Sequence, residues 1–518
     1  MAQTAGSKSQ AADFETAIAE CGFGLFNVYI MFCAMPCLSA MVFSASAMSY
    51  VMPSAECELK LSLLDKGIMN AVTYAGMIIS AIPWGFVADT MGRRLVLIIG
   101  GWIDGLCVLC AALSQNSTQL MVFKFFDGFI VCGPFAVVVS YLAEFHGKKH
   151  RPFIMLFIGL SVALGALILT IVAYLLLPEH FYFNVGPLHF HTWQIFLAIT
   201  AVPTLASGFL HIFLPESPRF LMSQGNYRGA LNSLQRIYAM NKRKSRDSYP
   251  ITTLTDATPE REATDAPSGE RALRERFARA KRKFAEGLRQ LKPMFSSPYL
   301  ALSGRIYSLH FCQVMCVNSV RLWLPQIFAT MQTLEVHGIR DRSMCAILDH
   351  NSHRGAAKSL KQECDIHQRP ETFVNNIIVA SIALAGFLLF FPILRIRGIV
   401  NHILKICLFI CTFLVGGLYF SNTQLSTLLV ASLYLTIMGV CASTIIGMCV
   451  VVFPTLMRTM VLLLIMTFGR LGSVVGNLLL PMFIQMTCWA PFLWLTALMT
   501  IAFVMSLFLK VDFQQPLN

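Results

Sequence analysis

Twelve apolar runs, each near 20 residues long, constrain this chain more than any other feature. They lie near 27–51, 67–88, 95–113, 119–143, 153–177 and 193–214, then 299–324, 373–394, 401–420, 424–450, 459–486 and 489–509. About 20 apolar residues in a helix cross a hydrocarbon core of ~30 Å. In lipid each backbone polar group must bond within its own segment, so every run is predicted to be a helix. Only 13% of the 518 residues are charged, against about 25% in a soluble domain, which argues against an ordinary soluble enzyme. The expected class is an all-α polytopic membrane protein with 12 transmembrane helices.

Charge gives the topology. The first twenty residues are polar and lack the short apolar core of a cleavable signal, so the N-terminus is expected to stay attached. The net charge of +13 does not point to nucleic acid, because of where it lies. Arg93 and Arg94, Lys148, Lys149 and Arg151, and the dense run in 236–292 fall in alternate connections, whereas 114–118, 178–192 and 421–423 carry no Lys or Arg. That asymmetry predicts both termini and the central loop on the cytoplasmic side. The loop 330–372 is basic yet expected outside, since long loops translocate largely regardless of charge. Asn116-Ser117-Thr118 is a glycosylation acceptor in a connection expected outside. Sixteen cysteines in such a chain read chiefly as small apolar packing residues.

The expected organisation is a tail 1–22, a six-helix bundle 23–219, a cytoplasmic loop 220–295, a second six-helix bundle 296–510 and a tail 511–518. Within the loop, 247–270 is rich in Thr, Pro, Asp and Glu without an apolar period, so it is expected to be disordered. Residues 271–292 place Phe277, Phe284, Leu288 and Leu291 at helical spacing among Arg and Lys. Such a helix suits an anionic membrane surface, with a calmodulin-type target as the alternative. Two halves about a flexible loop is the layout of many secondary carriers, with the solute site between the halves.

The stretch GFVADTMGRR, Gly85–Arg94, fills the gap between the second and third runs. Gly85 and Gly92 permit a tight reversal, Arg93 and Arg94 serve the charge rule, and Asp89 suits a helix N-terminus. This stretch resembles the cytoplasmic signature of the major facilitator superfamily, departing at Thr90 where a basic residue is usual. PESPRFL (Pro215–Leu221) is similar to the motif after the sixth helix of sugar porters and organic-ion transporters, and FPTLMR (Phe453–Arg458) to the turn before the eleventh. DFETAIAECGFGLF, VMPSAE, VVVSYLAEF, FHTWQIFLAI and GRLGSVVGN resemble the synaptic vesicle glycoprotein 2 family and its invertebrate relatives more closely. The resemblance covers nearly the whole chain except 247–270 and 331–370.

That resemblance implies two six-helix bundles working by alternating access. Asp89 is expected to dock on the start of the eleventh helix when the inner gate is shut, Arg93 and Arg94 to pair with Glu144, and Glu216 and Arg219 to join them. Arg458 and Arg470 complete the implied switch set. The alternative is that Asp89 and Arg93 only fix topology and pack a turn. The second half departs from the pattern: LRIRGIVNHILK keeps Arg395, Arg397 and Gly398 without an acid matching Asp89, and Val452 stands where a glutamate is common.

Ionisable groups inside spans mark a partner or a wet cavity. In the seventh run Ser303, Tyr307, His310, Gln313, Asn318 and Arg321 share an arc of roughly 140°. The face reads as a water-exposed solute path, against helix–helix hydrogen bonding, and for Arg321 against snorkelling. Lys124 and Asp127 are a neutralising i,i+3 pair or a proton relay. Asp104, flanked by Gly101 and Gly105, is the strongest candidate for a protonatable or cation-binding group. Vesicle-family relatives carry acids in the first helix where Met41 and Ser44 stand here. That difference leaves open a facilitator, an anion-selective carrier using Lys124 and Arg321, or loss of transport.

Cys345, His350, His353, Cys364 and His367 share the loop 330–372. An oxidising exterior favours a Cys345–Cys364 disulfide over a zinc site. No metal, cofactor or catalytic constellation is read. The expected function is a carrier for a small organic solute, with a co-transported ion and membrane lipids as further partners, monomeric, in the plasma or a vesicle membrane. The competing function is a non-transporting vesicle or membrane regulator that keeps the fold.

Overall fold

The computed structural model describes residues 10–179, 181–186, 188–254, 300–336, 343–348, 370–390, 400–453 and 458–509. Eleven helices there are long and apolar enough to cross a membrane. A twelfth, Leu300–Val336, is the polar seventh run. In chain order the spans are 1 (Leu25–Ala55), 2 (Leu63–Met91), 3 (Arg93–Ala112), 4 (Ser117–Glu144), 5 (Arg151–Leu176) and 6 (Thr192–Phe213). The second half holds 7 (Leu300–Val336), 8 (Pro370–Phe390), 9 (Val400–Gly417), 10 (Gln424–Val452), 11 (Arg458–Met486) and 12 (Ala490–Leu507). Span 6 is interrupted at Ala201, just before Pro203, where proline removes a backbone donor. Span 7 runs twelve residues past the predicted end at 324, so the loop expected from 330 begins later.

Span starts follow their capping residues. Ser62 and Asp65 cap span 2 reciprocally, with Asp65 N–H donating to Ser62 Oγ at 3.1 Å and Ser62 N–H to Asp65 Oδ2 at 2.9 Å. Asn116 caps span 4, accepting from Gln119 N–H at 2.9 Å. The sequon asparagine is exposed there.

Close helix crossings hold the first half. A Cβ on Gly76 would lie 2.2 Å from Phe125 O, and one on Gly128 would lie 2.0 Å from Thr73 O, so spans 2 and 4 touch backbone to backbone. Gly101 likewise meets the backbone of Gly208, joining spans 3 and 6. Without a hydrophobic force between helices in lipid, such close packing supplies the association energy. The halves meet along spans 2 and 11, 5 and 8, and 1 and 7.

A small cap closes the Arg93 end of the first half. Gln10–Ala12 pairs in parallel with Ile251–Leu254, and the helices Phe14–Cys21 and Tyr227–Lys242 pack beside them. Asn241 Oδ1 accepts from Phe26 N–H at 2.9 Å, tying the cap to the start of span 1. Arg151 bonds Glu15 at 2.8 Å. The expectation of disorder from 247 is corrected here: 246–248 form a helical turn and 251–254 the strand. Ile251 and Leu254 are buried by this pairing. Residues 255–270 and the expected helix 271–292 lie outside the described residues.

Candidate functional site

At the Arg93 end, the reversal between spans 2 and 3 belongs to Gly92 alone. Its φ of +96° strains any other residue, and a Cβ there would strike Glu216 Oε2 at 2.5 Å. Gly85, predicted to share the reversal, is helical instead and meets nothing within 4 Å among the described residues. The acid at the N-terminus of span 3 is Glu216, not Asp89. Its carboxylate accepts from the backbone N–H groups of Arg93 (3.1 Å), Arg94 (3.2 Å) and Ser217 (2.9 Å), the arrangement a helix dipole favours. Burial pushes the Glu216 carboxyl up, while those N–H groups and the Arg93 guanidinium pull it down.

Arg93 sits at the centre of this turn. It pairs with Asp89 at 3.3 Å and Glu144 at 3.6 Å and lies over the Phe220 ring at 5.1 Å. Arg94 instead donates to Ile212 O at 2.6 Å. Arg219, expected in the same network, is exposed and makes no ion pair among the described residues. The Asp89 side chain is 52% exposed, and its ion pair, to Arg93, stays within its own half. The Arg458 side chain lies outside the described residues, as do Arg395, Arg397 and Gly398. Beside the turn, burial pushes the His146 imidazole down to about 4, so it is neutral at pH 7.

At the opposite end the halves are joined. Lys66 and Glu56 form a buried ion pair at 2.7 Å, and Gln326 of span 7 donates to the same Glu56 carboxylate at 3.3 Å. A Cβ on Gly67 would strike Asn477 O at 2.5 Å and Pro481 at 2.7 Å, so span 2 presses directly on span 11. Sequence reasoning missed this set; only VMPSAE, which contains Glu56, was singled out.

Between these ends, two arginines of the second half reach into the first. Arg321 donates to Tyr74 Oη at 3.1 Å. Arg470 donates to Met77 O at 3.3 Å and Cys132 Sγ at 3.0 Å. The rest of the span 7 face is corrected: Ser303, Tyr307, His310, Gln313 and Asn318 are buried rather than water-exposed. Gln313 donates to Met438 O at 3.1 Å and Asn318 to Ser473 Oγ at 2.5 Å, on spans 10 and 11. His310 lies against Gly469, and Tyr307 stacks on Phe468 at 5.3 Å. Helix–helix bonding, the alternative left open, describes Gln313 and Asn318. Arg321 does not snorkel.

Inside the first half, Lys124 and Asp127 are an ion pair, 2% and 0% exposed. Ser44 Oγ donates to Asp127 at 2.6 Å and Lys124 donates to Ser44 O at 3.0 Å. Ser44 thus completes this pair. Asp104 is fully buried and accepts from Thr204 Oγ1 at 2.8 Å. Span 6 supplies the partner that the local sequence of span 3 did not show.

The predicted Cys345–Cys364 disulfide is corrected as well: Cys345 is bonded to Cys488, between spans 11 and 12. Cys364, His350, His353 and His367 lie outside the described residues, and no cluster of metal ligands occurs among the described ones.

Comparison with known proteins agrees with this architecture. The family model of the Major Facilitator Superfamily matches residues 33–348. Synaptic vesicle glycoprotein 2B of Rattus norvegicus is 28% identical over 258 residues, 49% of this chain and 38% of that protein. Synaptic vesicle glycoprotein 2C of Mus musculus is 29% identical over 252 residues, 48% and 35% respectively. Synaptic vesicle glycoprotein 2A of Rattus norvegicus is 24% identical over 331 residues, 63% and 45% respectively. The match spans less than half the length of these relatives. Among solved structures, the partially occluded inward open conformation of the xylose transporter XylE from E. coli superposes with a TM-score of 0.63 at 14% identity, covering 94% of this chain and 100% of that one. Its inward open conformation gives 0.62 at 16%, covering 93% and 95%. That likeness is one of fold. With twelve spans in two six-helix halves and the family model matched over most of its length, this multi-pass membrane protein belongs to the major facilitator superfamily, a superfamily of transporters.

Proposed function

We propose that the chain is a carrier that moves a small organic solute by alternating access between its two halves. The observation that carries this reading is the asymmetry of the contact between halves. The Glu56 end is joined by Gln326, which bonds the Glu56 carboxylate of the Lys66 pair, and by the Gly67–Pro481 contact, whereas at the Arg93 end Asp89 is exposed and, among the described residues, its ion pair is to Arg93 of its own half. Joints of a few polar bonds near a wet surface are weak enough to break and reform. A path at the bilayer midplane between repeats is where such carriers hold their solute. The charge rule supports reading the Arg93 end as cytoplasmic. Gly92, Arg93, Arg94, Glu144 and Glu216 form the rigid base of the switch in this reading, and Asp89 is its moving contact.

Purified protein in liposomes is expected to accumulate a labelled solute down its gradient, tested with anionic, cationic and sugar-like compounds. A folded sample that passes none of the three classes contradicts the proposal. Asp89→Asn is expected to hold the protein in the state open at the Arg93 end, because the docked state loses its negative charge. Cysteines introduced on spans 2 and 11 at that end should then react several-fold faster from that side. Unchanged reactivity would show that Asp89 only packs the turn.

A further inference from the structure

The geometry points to a small organic anion bearing a carboxylate as the solute, held between the halves by Arg321 and Arg470; this inference rests on the carrier reading and names its substrate class. Both arginines sit near the midpoints of their helices, spans 7 and 11. Both reach the same partner helix. Their contacts there, Tyr74 and Met77, are three residues apart near the midpoint of span 2. Residues three apart share one face of a helix, one turn above the other. Two guanidinium groups therefore lie along one stripe of the contact between halves, close to mid-depth.

Their present partners are neutral. A tyrosine hydroxyl, a backbone carbonyl and a thiol satisfy some N–H groups without cancelling charge. Arg321 Nε is buried without a partner among the described residues. Neither arginine has a carboxylate within ion-pair distance among the described residues. The buried acids of the first half are committed elsewhere: Asp127 to Lys124 and Ser44, Glu56 to Lys66, Asp104 to Thr204 and Glu144 to Arg93. An arginine inside a span is costly unless something compensates it. No carboxylate among the described residues supplies that compensation, and a bound solute does.

Arginine suits this task better than lysine. Its planar fork donates two parallel hydrogen bonds to a carboxylate, and its charge persists at every physiological pH. Tyr74 adds a hydroxyl beside Arg321, and Tyr50 of span 1 lies within electrostatic reach of the same guanidinium. Both arginines belong to the second half and their partners to the first. Breaking Arg321–Tyr74 and Arg470–Met77 frees N–H donors at the moment the halves part, so solute binding and opening are linked.

The test is thermal stabilisation of the purified full-length protein by benzoate and succinate, with benzamide, benzylammonium and chloride as matched controls. Benzoate or succinate is expected to raise the melting temperature in a saturable manner, and benzamide and benzylammonium are not. Arg321→Gln and Arg470→Gln should each weaken the apparent Kd at least tenfold. Arg470→Lys, which keeps the charge and guards against misfolding, should weaken it by less than Arg470→Gln. Four results overturn the inference: no response to either carboxylate, equal stabilisation by benzamide or benzylammonium, unchanged Kd in both glutamine variants, or saturable protection by chloride alone. Anion binding without flux would sink the carrier reading and leave this site standing. Flux of a neutral or cationic solute without anion binding would do the reverse.

Discussion

Lys124→Met is expected to destabilise the protein by about 3–5 kcal/mol, the cost of removing one partner from a buried ion pair. The ammonium is held by Asp127 and by Ser44 O in a site from which water is excluded. Removing it leaves Asp127 with the Ser44 hydroxyl but no cation among the described residues, a carboxylate that must stay charged in a dry core or take up a proton. Asp104, within electrostatic reach of both residues, adds a second acid to the same region. The double variant Lys124→Met, Asp127→Leu should recover most of the loss, because apolar side chains of similar volume replace a buried pair at little cost. Thermal melting of the three proteins in detergent measures this. A single variant as stable as the parent would show that the pair is solvated, contrary to its burial.

Gly128→Val should be at least as damaging, by about 3 kcal/mol or more, beyond the usual range for an overpacked core. The first added carbon would lie 2.0 Å from Thr73 O, a backbone atom that cannot turn aside, and the partner glycine at 76 leaves no slack on the other helix. Spans 2 and 4 would have to separate, carrying the Tyr74 and Met77 contacts of the second half with them. Gly128→Ala should show a smaller loss of the same kind, and Gly85→Ala, with nothing within 4 Å, almost none. Expression and melting temperature of the three variants give the order directly. Equal tolerance at positions 85 and 128 would contradict the close crossing.

These two sites show what the sequence made legible. The apolar runs mark the spans, because local composition and length carry them. Gly76 and Gly128 gave no signal, since each is a lone glycine whose partner lies about fifty residues away. Glu216 could not be read as the cap of span 3 for the same reason: its acceptors face N–H groups more than 120 residues earlier. The polar face of span 7 was legible as a face, but periodicity does not say what covers it. Spans 10 and 11 bond Gln313 and Asn318, whereas Arg321 crosses to the other half. Cysteine pairing followed compartment but not connectivity, which spacing does not determine; Cys488 was overlooked for lying outside the loop.

Alternating access requires two halves that tilt against each other as units, and a wedge at one end tests this. Gly67→Trp places a ring where a single carbon already strikes Asn477 O and Pro481, so it forces the Glu56 end apart. Spin labels at the exposed positions Leu113 and Leu425 report that end, and labels at the exposed Met91 and Leu389 report the other. Pulsed electron–electron distance measurements in the wedge variant should show the first distance lengthening and the second shortening. A first distance that lengthens while the second stays fixed would mean local bending rather than tilting, and the alternating-access account would be wrong.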